Sequence, residues 1–216
     1  MASIRVDSEW NDHPWNILNG GVLTNPYQLF SDPRALQNQE HLRRYLVARY
    51  ADHPAILAWK LWTEVDLTVA GNSSWATPSP RLKALFAKTG SAAVLDVAPP
   101  TMDERLAALT RWHADAAAQL HALDGYGHPV TTHWSNTYQR VHPQVAALPG
   151  IDLLCIDAYR SDLSDAVQSS QGQLAKLLWA SIDDPRQGLA QYAKGVLVTE
   201  YGGSSQGSAD ASMRVD

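Results

Sequence analysis

The chain has 216 residues with an apolar fraction of 45%, enough to fill a proper core, so disorder is disfavoured as its main state. Its net charge is −5 with Lys and Arg scattered singly, which disfavours nucleic acid and anionic membranes as partners. No stretch approaches the roughly 20 apolar residues of a membrane span, and the lone Cys155 allows no internal disulfide, so a soluble chain of unassigned compartment is expected.

Five short apolar runs alternate with helical patterns, the order expected of parallel strands linked by crossover helices. The first, ASIRV at 2–6, is followed by Asp7, Glu9 and Trp10. A loop rich in Asn, Gly and Pro then leads to Asp32-Pro33, a good helix start, after which Leu36, Leu42, Tyr45, Leu46 and Arg49 recur at helical spacing. The second run, AILAWKLW at 55–62, is mostly apolar, as an interior strand of a parallel sheet is. It ends in Thr63, Glu64 and Asp66. Residues 71–100 form a polar, Pro-containing insertion, longer than ordinary connections and expected to be a loop that acts as lid or rim. The segment 102–124 is the clearest amphipathic helix, with a Thr-Met-Asp-Glu start and Leu106, Leu109, Trp112, Ala116 and Leu120 on one face. The third run, HPVTTHW at 128–134, leads into His133, Trp134 and Asn136, and the fourth, IDLLCIDAY at 151–159, ends in Asp157 and Tyr159 with Cys155 as core. A helical stretch at 164–184 precedes the fifth run, GVLVTEYG at 195–202, which carries Glu200 and Tyr201 and is followed by a small-residue tail. Neither a repeat nor a linker interrupts the pattern, so one domain over 1–216 is expected, with the insertion at 71–100.

In α/β sheets and barrels, reactive residues gather at the C-terminal ends of strands, and here those ends carry acids and aromatics. Glu64 and Glu200 lie 136 positions apart in sequence, yet strand ends can bring them to one rim. Two facing carboxyls split their pKa values, one protonated and one ionised, which is the machinery of glycoside hydrolysis. Against this stands the plainer reading of two loop acids, weakened at Glu64 by apolar neighbours that make an uncompensated carboxylate costly. Asp7, Glu9 and Asp66 read as solvated. Trp10, Trp134 and Tyr159 are either rim packing or sugar contacts, and most of the eight tryptophans are expected in the core. The eight histidines show no metal-binding spacing; His113 and His121 sit two turns apart on an exposed helix, so neither metal nor cofactor is expected.

The stretch ILAWKLWTE at 56–64 resembles the acid/base strand of the retaining β-glycosidases of glycoside hydrolase clan A, the cellulase and mannanase relatives of family 5. VLVTEYGG at 196–203 is similar to that family's nucleophile strand, and RYLVARYADHPAILAW, HPVTTHWS and LPGIDLLCIDAY extend the likeness over nearly the whole chain. The resemblance implies a (β/α)8 TIM barrel, with Glu64 as general acid/base, Glu200 as nucleophile and Tyr159 as a hydrogen-bond partner near it. Trp10, Thr63, Trp134, Asn136 and Asp157 complete the expected substrate-binding set. Thr63 stands where the family carries Asn, Asp157 where it carries His, and Lys60, expected to face the helix layer, where an acid is common. A full barrel has eight strands in about 250 residues, whereas five are read here, so the barrel is expected to be incomplete and its open sheet edges prone to self-association.

The function expected is retaining hydrolysis of β-linked glycosides or polysaccharides without a cofactor. The alternative is a carbohydrate-binding pseudo-enzyme or inactive barrel fragment, which Thr63, Asp157 and the missing strands favour. An esterase of the α/β-hydrolase type is disfavoured, since no Gly-x-Ser-x-Gly elbow occurs.

Overall fold

The computed structural model describes residues 7–66, 80–89, 100–135, 141–159 and 188–202. The first apolar run at 2–6, the helical stretch at 164–184, Asn136 and the tail lie outside them. The described elements, in chain order, are α1 (Asp7–Asp12), α2 (Pro33–Tyr50), β1 (Trp59–Lys60), α3 (Pro80–Thr89), α4 (Met102–Leu123), β2 (Val130–Trp134), α5 (Pro143–Ala146), β3 (Leu153–Tyr159) and β4 (Gly195–Gly202). The four strands form one parallel sheet in the order β1-β2-β3-β4, so their C-terminal ends share an edge.

The two long helices begin where the sequence places them. Asp32 caps α2 by accepting from the Arg34 and Ala35 amides, and Pro33, with no N–H to satisfy, opens the first turn. Thr101 and Glu104 form a capping box for α4, each side chain bonding the other's amide. The buried side chains of α2 are Ala35, Gln39 and Val47, while Leu42 and Tyr45 are exposed, which corrects the expected apolar face. A Gln can be buried here because both ends of its amide are used: Gln39 donates to the Leu29 carbonyl (2.8 Å) and accepts from the Trp112 indole (2.9 Å). The segment 71–100, expected as a loop, contains α3, anchored by the fully buried Leu82.

Register divides the sheet into two faces. Thr132 pairs with Leu154 and Val196, and Trp134 pairs with Ile156 and Val198; this face looks toward the helices, since Thr132 Oγ1 meets His113 Nε2 of α4 at 3.0 Å. Lys60, Thr131, His133, Leu153, Cys155, Asp157, Leu197 and Glu200 share the opposite face, so Lys60 does not point to the helix layer. β2 is buried on both faces, as a central parallel strand should be, whereas β4 is half open and its Leu197 is 42% exposed. Only two residues of the second apolar run are strand, and Leu57 before them is 69% exposed. The core beneath the helix-facing side includes Phe30, Trp62 and Trp112, with ring centroids 4.9 to 5.8 Å apart in tilted and edge-to-face contacts.

His113 is fully buried, not exposed, because it lies on the core side of α4. Its Nδ1–H donates to the Leu109 carbonyl (2.8 Å), leaving Nε2 to accept from Thr132. At the opposite end of the strands Asp124 accepts from the Trp59 indole, the Tyr126 amide, the His128 amide and His128 Nδ1. Burial alone would raise its pKa, but these donors hold the carboxyl down to about 2.

Candidate active site

β1 ends in a turn that carries Thr63 and Glu64. Glu64 adopts φ +52°, a left-handed conformation that costs a non-glycine residue about 1–2 kcal/mol. Its amide is held there by the neighbouring strand, donating to His133 Nδ1 at 3.3 Å. Glu64 itself is buried, in accord with the apolar run before it.

Glu200 reaches the face away from the helices through an irregularity. Ile156 pairs with Val198, but the next residue, Asp157, pairs with Glu200, so Thr199 is an extra residue in β4. Simple alternation would have placed Glu200 on the helix-facing side with Val196 and Val198; one inserted residue moves it to the side of Cys155 and Asp157. Thr199 Oγ1 donates to the Ile156 carbonyl (3.3 Å) and lies 3.4 Å from Asp157 Oδ1.

Between these two glutamates lie His133 and Asp157, both fully buried, with His133 Nε2 and Asp157 Oδ1 only 2.6 Å apart. Because the Glu64 amide can only donate, His133 Nδ1 is the acceptor and the proton sits on Nε2, directed at Asp157. One ligand-type atom from each of His133, Asp157 and Glu200 falls within 4.8 Å of the others, a spacing that would suit a cation. The tautomer does not: a metal on Nε2 would require the proton on Nδ1, where the Glu64 N–H already points.

Among the other expected site residues, Trp10 and Trp134 are interior. The Trp134 indole donates to His142 at 3.4 Å from the helix-facing side, so neither ring offers an open face to a sugar in this arrangement, and both are corrected to core residues. Tyr159 lies at the end of β3, in register with Gly202, and Thr63 is half-buried beside Glu64. Asp66, expected in solvent, is buried and accepts from the Ser135 amide (2.7 Å) and hydroxyl (2.6 Å), fastening the turn after β1 to the end of β2. His133 was absent from the expected set. Alternation puts His133 on the face opposite Trp134, but which face Trp134 takes is set by the pairing of β2 with β3, so no local signal could have found it. Away from this edge, a cavity of about 810 Å³ between α2 and α4 is lined by Leu36, Glu40, Arg43, Arg111 and Asp115, and carries none of the paired strand-end chemistry.

Among solved structures, the chain is similar to the X-ray structure of the endo-beta-1,4-mannanase from Thermotoga petrophila, with a TM-score of 0.52 and 15% sequence identity. The match covers 92% of this chain and 40% of that one, so the chain spans less than half the mannanase's length. At that identity the likeness is one of fold: an α/β arrangement shared with part of a mannanase. No family model and no curated protein matches the sequence.

Proposed function

We propose that the chain is the catalytic-face portion of a (β/α)8 retaining glycoside hydrolase acting on β-linked glycosides or polysaccharides. The observation that carries this reading is the placement of Glu64 and Glu200 at the C-terminal ends of parallel strands, with the extra Thr199 turning Glu200 onto the inner face. In this mechanism Glu200 attacks the anomeric carbon while Glu64 protonates the departing oxygen. Glu64 then takes a proton from water, which releases the sugar from Glu200 with net retention. β1 and β4 are separated by two strands, about 14 Å along a flat sheet, so the reading also requires the sheet to curl as a barrel does.

The mannanase fold makes β-1,4-mannan and its oligosaccharides the first substrates to try. Proton NMR of the first-formed product tests the reading: a β-anomer released before mutarotation is expected, and an α-anomer would contradict it. A second reading, a sugar-binding pseudo-enzyme, rests on Thr63. Its hydroxyl is too short to replace an amide at the sugar 2-hydroxyl, a contact that strengthens in the transition state. Binding of mannan oligosaccharides without turnover would favour that alternative.

A further inference from the structure

We infer that His133 is a positioning residue that fixes the acid/base glutamate and couples it to the nucleophile strand, an inference that rests on the reaction proposed for Glu64 and Glu200. The contacts form one path. The Glu64 amide donates to His133 Nδ1, His133 Nε2–H donates to Asp157 Oδ1, and Asp157 is the register partner of Glu200. Asp157 Oδ2 is buried with no hydrogen-bond partner among the described residues, so its other oxygen depends on His133, with a long contact to Thr199. The imidazole is thus locked in one tautomer from both sides, and its acceptor nitrogen supports the left-handed backbone at Glu64. Asp157 positions the ring and so has a role of its own here, different from that of the His it replaces in the resembled family.

Two substitutions separate the halves of the imidazole. His133→Asn keeps an acceptor near Nδ1 and loses the donor to Asp157; His133→Gln keeps a donor near Nε2 and loses the acceptor for Glu64. If His133 acts through Glu64, His133→Gln should lose about 100-fold in kcat on glycosides with poor leaving groups at little change in KM, and His133→Asn about 10-fold or less. With an activated leaving group, where no proton is needed to expel it, kcat/KM of both should stay within about threefold of wild type, while kcat of His133→Gln still falls because Glu64 must deprotonate the water that releases the sugar. Equal losses in kcat/KM on both substrate kinds, or a worse result for Asn than for Gln, would overturn the inference. Nitrogen-15 NMR of the imidazoles supplies a readout that needs no substrate. The Nε2–H form of His133 is expected at neutral pH, and the Nδ1–H form overturns the inference whatever the activity. Wild-type protein inert on every β-glycoside would instead sink the proposed reaction, and the positioning role with it, while an Nε2–H result would still uphold the geometry.

Discussion

The burial of His113 makes stability depend on pH in a defined window. Removal from water lowers the pKa of His113 from 6.5 to about 4; the Leu109 carbonyl opposes the shift, and the charge of His142 adds to it. The unfolded chain takes up a proton near pH 6.5 that the folded chain refuses until about 4, so stability is full above 6.5 and falls as the pH drops toward 4. At about 1.4 kcal/mol per unit, the whole window removes roughly 3 kcal/mol, and about 2 kcal/mol should be gone by pH 4.5. Replacing the ring by His113→Gln, which keeps a donor and an acceptor, abolishes this titration. Urea unfolding of both proteins at pH 7 and pH 4.5 reads the effect: the wild-type free energy should fall by about 2 kcal/mol more than the variant's, at similar m-values. Titrating groups that do not interact with His113 remain in both proteins and cancel in the comparison, and His142 adds only its coupling to His113, the smallest of the causes of the shift. Equal losses would show that His113 is not held neutral in the folded state.

Gln39→Leu should destabilise the chain by about 2–4 kcal/mol in urea titrations, because the Leu29 carbonyl and the Trp112 indole both lose their buried partner. A loss under about 1 kcal/mol would mean that water replaces the amide. The exposed Leu197 on β4 should favour self-association of residues 1–216 expressed alone, and Leu197→Lys should shift light scattering toward monomer; a monodisperse wild type would contradict association through this sheet face.

The sequence carried the parallel α/β layout well, because each of the four described strands falls within one of the short runs read as strands and each long helix has its own cap. Asp32-Pro33 and Thr101 through Glu104 are local signals, and the structure keeps both. Phase was harder to read. Trp134 and His133 are adjacent, and which of them faces inward depends on pairing with β3, a contact that no local pattern encodes. The extra Thr199 is similar, since the bulge exists only relative to Ile156 and Asp157. Asp66 and His113 looked polar enough for solvent, but their partners, Ser135 and Thr132, come from β2 and the residue just after it, distant in sequence. Exposure of Leu42, Tyr45 and Leu57 was likewise invisible, because it depends on what packs beside α2 and β1.

The central claim is that Glu200 is a nucleophile and Glu64 its acid/base partner, and covalent trapping tests it most directly. The protein is incubated with a 2-deoxy-2-fluoro-β-mannoside or β-glucoside bearing a good leaving group, then digested and sequenced by mass spectrometry, with Glu64→Gln and Glu200→Gln in parallel. The fluorosugar should be found on Glu200 in wild type and in Glu64→Gln, and nowhere in Glu200→Gln. Label on another residue, or equal labelling of wild type and Glu200→Gln, would contradict the assignment.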